Sequence, residues 1–179
     1  MGEPEKQEVA DAYNTLGGRI YDLRYAEEQG SKYTAIVGRM TPEPYELYLD
    51  VGCGTGLLAE RLKSQSVGLD ISVGLLSTAR ARLMGRESSY LVLGDAGKLP
   101  FRESSFDIVY SVTVLQNTRD PLSSIKEMKR VGKAAAGITA LKKAFSRESF
   151  EALLLDADLK SFEVLNSSGL NDWVALVAL

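Results

Sequence analysis

The run Leu49-Asp50-Val51-Gly52-Cys53-Gly54-Thr55-Gly56 decides the reading of this chain. An apolar strand, YELYLDV over residues 45–51, leads into it, and a helix over 56–64 is expected to follow at once. Gly52, Gly54 and Gly56 permit a tight turn and a close approach of backbone to a ligand, where a Cβ would clash. A helix starting there offers unpaired N–H groups and a positive dipole end, which suit a carboxylate or a phosphate. The spacing separates the two. A dinucleotide fingerprint needs G-x-G-x-x-G; here the third glycine comes one residue early and Leu57 stands in its place. Asp50 is unusual before a dinucleotide turn. It can orient the loop or, through water, accept from an ammonium group.

Working outward, strands and helices alternate. VGLDIS (67–72) closes a second strand over 66–70, and Asp70 stands 18 residues after Gly52. A carboxylate at that strand end can accept from both hydroxyls of a ribose, and Ile71 can pack on an adenine face. Ser72 reads as the N-cap of a helix running to about Met84. A third strand (89–94) leads into GDAGKLPF (94–101), where Asp95 can accept from an adenine amino group and the Ala96 backbone completes that edge. A fourth strand, FDIVYSV (106–112), is nearly all apolar, as expected of a strand covered on both faces. SVTVLQN (111–117) ends it. Asp120-Pro121 gives an N-cap with proline at the first helical position, opening a helix to about Val131. A fifth strand over 136–141 and a helix from Ser146 to about Leu155 follow. Strands over 160–166 and 172–178 form a hairpin around Ser167-Ser168-Gly169.

Upstream, residues 5–39 read as two helices parted at Gly17-Gly18 and stopped by Thr41-Pro42-Glu43-Pro44. The sum is an α/β, Rossmann-like doubly wound fold. It has a mostly parallel seven-stranded sheet, a C-terminal antiparallel hairpin and helices on both faces. The expected organisation is one domain, with residues 1–44 as an N-terminal helical cap and 45–179 as the core.

Composition narrows the chemistry. The 179 residues are 45% hydrophobic and 25% charged, which fits an ordinary globular domain rather than a disordered chain. The chain has no histidine, which excludes histidine-dependent triads, imidazole zinc sites and imidazole acid–base catalysis. Cys53 is the only cysteine, so an internal disulfide and a thiolate metal cluster are excluded; no metal is expected. The net charge of −3 argues against gripping a long phosphate backbone unaided. No apolar stretch approaches the roughly 20 residues of a membrane span. The acidic, polar N-terminus does not read as a signal peptide, so a cytoplasmic location is expected.

DVGCGTG with the downstream GLDIS, GDAGKLPF and FDIVYS resembles the class I S-adenosylmethionine-dependent methyltransferases, in their type 11-like branch. The resemblance runs from about residue 45 to the C-terminus. It implies that Gly52, Cys53, Gly54 and Gly56, with Asp50, hold the methionine portion. It implies Asp70 and Ile71 for the ribose and adenine, Asp95 and Ala96 for the adenine edge, and Ser111 with Val112 and Thr113 at the methyl end. The tyrosines Tyr13, Tyr21 and Tyr25 fall in the segment that folds over the cofactor in this family. Two places depart from the family pattern: a "kPGG"-like turn before the fifth strand is replaced by VGKAAAG (131–137), and "HH" after the fourth strand by Gln116-Asn117.

Methyl transfer from a sulfonium is an in-line displacement in which charge disperses, so alignment and exclusion of water can carry it. A chain without histidine fits that chemistry. If a base or orienting group is used, Tyr13, Tyr21 and Gln116 are the candidates. The acceptor is open: a small molecule, or RNA or protein presented with a helper subunit. The third-strand edge, YLVLG, suits strand addition by a second copy or a small activator protein. Lys142-Lys143 reads either as a solvated strand end or as an acidic-substrate contact. The alternatives are a catalytically silent S-adenosylmethionine-binding subunit, and an NAD-dependent oxidoreductase that the glycine spacing disfavours.

Overall fold

The computed structural model describes residues 6–165 and 169–179, with the side chains of residues 6, 19, 21 and 24–26 outside the description. Ser167 and Ser168, expected in the hairpin turn, therefore lie outside the described residues. The order along the chain is α1 (Lys6–Leu16), α2 (Gly18–Val37), β1 (Leu47–Val51), α3 (Leu57–Arg61), β2 (Gln65–Asp70), α4 (Val73–Arg82) and β3 (Ser89–Leu93). It continues with β4 (Phe106–Ser111), a one-turn 3-10 helix (Leu115–Asn117), α5 (Pro121–Val131), β5 (Gly132–Leu141), α6 (Arg147–Asp156), β6 (Ser161–Leu165) and β7 (Asp172–Ala178). No helix among the described residues is long and apolar enough to cross a membrane.

The strands form one sheet in the order β3-β2-β1-β4-β5-β7-β6. β1 to β5 pair in parallel; β7 enters antiparallel between β5 and β6. β1 lies between β2 and β4, so the chain winds outward in opposite directions on either side of it. That reversal opens a crevice at the carboxyl ends of β1 and β4.

Side-chain alternation sets the two faces. Leu49, Val51, Val109, Ala136 and Ile138 pack with Ile125, Met128, Phe150 and Leu154 from α5 and α6. Tyr48, Ile108, Tyr110 and Val174 point the other way, against Tyr33 and Ile36 of α2 and Leu58 of α3. Tyr48 and Tyr110 meet edge to face at 5.6 Å, and the Tyr110 hydroxyl donates to the Met40 carbonyl. The capping residues act as read: Ser72, Asp120 and Ser146 each accept a backbone N–H at their helix starts.

Two boundaries differ from expectation. α3 ends at Arg61 because Leu62 is extended and buried, and the Ser64 hydroxyl turns in to donate to the Pro42 carbonyl. β5 begins at Gly132, four residues early. It follows α5 without a loop, so in VGKAAAG the valine closes the helix and residues 132–137 are strand rather than turn. The early start is taken up by an irregular register between Phe106↔Gly132 and Ile108↔Ala135.

Phe150 is fully buried at the α6–sheet contact. Phe150→Ala is expected to lower the unfolding free energy by about 3–5 kcal/mol in urea denaturation. A loss below about 1 kcal/mol would mean that this core relaxes around the cavity.

Candidate functional site

The glycine loop takes its shape from β2. Gly52, Gly54 and Gly56 all have positive φ, at 76°, 54° and 79°, conformations that L side chains rarely adopt. The amides of Gly52 and Cys53 donate to the Leu69 carbonyl at 2.7 and 3.0 Å. The Gly54 amide donates to Asp70 Oδ2 and the Ser72 amide to Asp70 Oδ1, both at 2.8 Å. One carboxylate thus joins the loop after β1, the end of β2 and the start of α4. Burial pushes the Asp70 carboxyl up, while the amides of Ser72, Gly54 and Ile71 pull it back. Each oxygen keeps a further lone pair for a ligand.

Asp50 sits below this loop and is buried. Its Oδ2 has no hydrogen-bond partner. Burial, and then the neighbouring Asp70 charge, push its pKa up to about 7. Burial raises the Cys53 thiol well above its ordinary range, so it stands as a neutral packing group.

Above the loop are two cavities. The first, about 90 Å³, is walled by Gly52, Gly54, Asp70, Ile71, Asp95 and Ala96 and by the segment 112–114, and roofed by Val9 and Tyr13 of α1. The second, about 550 Å³, lies against Glu28, Gln29, Lys32, Gln116, Lys142 and Lys143. Tyr13, Thr113 and Asn117 line both. The Asn117 Nδ2 donates to the Tyr13 hydroxyl at 3.0 Å, and Gln116 Nε2 donates to the Thr113 carbonyl at 2.6 Å. The Gln29 and Gln116 side-chain oxygens are buried without partners.

The expected site residues separate into two groups. Gly52, Gly54, Asp70, Ile71, Asp95, Ala96 and Thr113 share the first cavity. Asp50, Cys53, Gly56 and Ser111 do not line it. Ser111 and Asp50 are core neighbours on β4 and β1, and a Cβ on Gly56 would stand 3.2 Å from Ala79 of α4, so that glycine serves packing. The side chains of Tyr21 and Tyr25 lie outside those described. Lys142 donates to the Leu170 carbonyl and stands 4.8 Å over the Trp173 ring, so it is no free strand end.

Sequence reasoning missed Val9, Glu28, Gln29, Lys32 and Asp172. Lys32 is 1% exposed. Its ammonium pairs with Glu28 at 2.8 Å and Asp172 at 2.9 Å and donates to Thr113 Oγ1 at 2.8 Å. Glu28 and Lys32 stand four apart on α2, the spacing of an exposed surface pair, so the local signal points to solvent. Thr113 itself has φ 62°, an outlier for a β-branched residue that costs roughly 1–2 kcal/mol.

Comparison with known proteins agrees with this geometry. A family model described as a methyltransferase domain matches residues 49–140. The demethylmenaquinone methyltransferase of Staphylococcus epidermidis is 40% identical over 148 residues, covering 78% of this chain and 61% of that protein. The malonyl-[acyl-carrier protein] O-methyltransferase of a Marinomonas species is 30% identical over 131 residues, covering 70% and 48%. The chain thus spans about half to three-fifths of these relatives' lengths. A Haloferax volcanii methyltransferase solved in complex with the Trm112 activator superposes with a TM-score of 0.79 at 16% identity, covering 95% of this chain and 96% of that one; it shares the fold.

The Asp50 shift makes a pH prediction. Its folded pKa is about 7, above the ordinary 3.8. The folded state therefore keeps a proton that the unfolded chain releases, and stability falls as pH rises from about 4 to about 7, then levels. Asp50→Asn removes that loss. In urea titrations its stability relative to the parent is expected to rise between pH 5 and pH 8, by on the order of a few kcal/mol. Parallel pH profiles for the two proteins would refute the buried-carboxyl account.

Proposed function

We propose that this chain, which belongs to the class I S-adenosylmethionine-dependent methyltransferases of the type 11-like branch, moves a methyl group to a small, already nucleophilic acceptor in the second cavity. The observation that carries the reading is the meeting of two cavities at Tyr13, Thr113 and Asn117; on this reading the adenosyl group goes in the first and its acceptor in the second.

The residues present suit the cofactor. The unpartnered Asp50 Oδ2 beneath the loop marks a carboxyl that a ligand ammonium, reached through water or a small loop adjustment, would complete. Gly52 and Gly54 would hold the methionine portion, backed by Asp50, Cys53, Gly56 and Ser111. Asp70 would accept from the ribose hydroxyls. Ile71, Leu75 and Val9 offer apolar contact to the adenine, with Asp95 and Ala96 at its edge. Val112, Thr113 and Val114 would border the methyl end. When bound, S-adenosylmethionine supplies an electrophilic methyl and a neutral leaving group, and S-adenosylhomocysteine is the product.

The chain's own task is alignment and exclusion of water. The groups at the junction are a phenol, a hydroxyl and amides, with Gln116 and Tyr13 able to orient an acceptor. Hydrogen bonding from Lys32 holds the Glu28 carboxyl below its usual range, which makes it a poor base. The acceptor therefore arrives activated by its own ionisation. The two relatives named above suggest a hydroxylated quinone-type ring or a malonyl carboxylate. The relative of higher identity and coverage favours the ring. A volume of about 550 Å³ suits a small molecule.

A partner is a second element of the proposal. β3 is an edge strand, and Tyr90 and Leu93 on it are 59% and 58% exposed. A small activator protein or a second copy adding a strand there would cover them.

Three measurements test this reading. Calorimetry is expected to give S-adenosylmethionine binding that Asp70→Ala weakens at least about tenfold; unchanged affinity would refute the ribose role. Labelled methyl from S-adenosylmethionine is expected to enter hydroquinones and not malonyl thioesters, and the reverse pattern would sink the ring assignment. Gln29→Leu is expected to raise the KM for the hydroquinone several-fold and to leave cofactor affinity unchanged.

A further inference from the structure

The geometry points to Lys32 as a positioning residue that sets the backbone of Thr113 and, through it, the seating of both cap helices over the site. This rests on the cofactor reading above. Thr113 is the first residue after β4 to leave ordinary conformational space, with φ 62°. A β-branched residue holds that conformation only where its surroundings over-determine it, and here they do.

Its amide leaves the sheet ladder and donates to the Thr139 hydroxyl at 2.8 Å. Its own hydroxyl donates to Asp172 Oδ2 at 2.9 Å and accepts from Lys32 Nζ at 2.8 Å. Thr139 donates to the same Asp172 oxygen at 2.8 Å, and Lys32 pairs with Asp172 Oδ1 at 2.9 Å. Asp172 and Thr139 are fully buried, and Lys32 is nearly so. These groups come from α2 and from the paired strands β5 and β7. An ion pair this buried is weak evidence of stabilisation; fixing one arrangement is its best-attested use.

The constraint extends in two directions. The Thr113 carbonyl accepts from Gln116 at 2.6 Å and from Asn117 at 3.5 Å, and Asn117 Nδ2 donates to Tyr13 of α1. A Cβ on Gly52 would collide with Val114, so the segment 112–114 is also keyed to the glycine loop. Lys32 lines only the acceptor cavity, whereas Tyr13 roofs both. Contacts that an acceptor makes near Lys32 thus bear on a segment that closes the cofactor cavity, and the two sites are coupled through Thr113.

The test uses the full chain and S-adenosylhomocysteine as probe. Lys32→Met is expected to weaken binding about tenfold in calorimetry, although Lys32 does not border the cofactor cavity. Backbone hydrogen exchange over residues 7–16 of α1 in the ligand-saturated protein is expected to quicken. Combined with Tyr13→Phe, the two effects on affinity are expected to be non-additive by at least about threefold. A lower melting temperature with unchanged affinity and unchanged α1 exchange would reduce the network to a structural role and overturn the inference, as would additive effects. If Lys32→Met does not fold, Thr113→Val keeps the shape and removes the hydroxyl. Faster α1 exchange in it supports the proposal; parental α1 exchange overturns it. Failure of the parent chain to bind S-adenosylhomocysteine would instead count against the cofactor reading, and with it this one.

Discussion

The Asp70 carboxylate accepts from the Gly54 and Ser72 amides at once, and most of the site is arranged around that double contact. A glycine loop with three positive φ values has no side chains to define its path. Its shape must come from hydrogen bonds, and β2 supplies them through the Leu69 carbonyl and Asp70. The burial this needs has a consequence. With two carboxyls close together at the ends of β1 and β2, the one without backbone donors, Asp50, is forced toward its neutral form. The one with donors is pushed up less and keeps its edge at the cavity wall. Environment alone separates two residues of the same type.

The sheet was legible because each of its determinants is local. Alternating apolar runs, Asp120-Pro121 and the caps Ser72 and Ser146 mark where elements start, and β4 announces by its continuous apolarity that both faces are covered. The boundaries that moved are set by tertiary contacts. Nothing in VGKAAAG reports that β7 will pair along β5 from Ala135 onward and hold it extended. Nothing in LLAERLKS reports that Leu62 and Ser64 will be drawn inward.

The first cavity was legible for a similar reason: many of its residues lie in short segments after β1, β2 and β3, the strands whose carboxyl ends border the crevice. The network beside the second cavity was not. Lys32, Asp172 and Thr139 are separated by more than a hundred residues end to end and carry no motif. Glu28 and Lys32 have the spacing of a solvated pair, and only the packing of α2 against β7 buries Lys32, while Glu28 stays partly exposed. Ser111, Asp50 and Gly56 belong to the expected segments but are buried beside the first cavity rather than on its wall.

The two cavities differ in how they are made, and that difference bears on how such a site works. The one beside the glycine loop is small because α1 rests on it through Val9 and Tyr13, while Asn14 accepts from Ser72 and from the Gly74 amide at the start of α4. At about 90 Å³ it is much smaller than the second cavity, at about 550 Å³. α2 is held by different contacts. It is tied to the glycine loop by Thr55 donating to Asp22 at 2.6 Å, to α4 through Arg82, and to β7 through Lys32. The first helix thus meets the site through apolar and amide contacts and the second through charged ones, of which the Lys32–Asp172 pair is the most deeply buried.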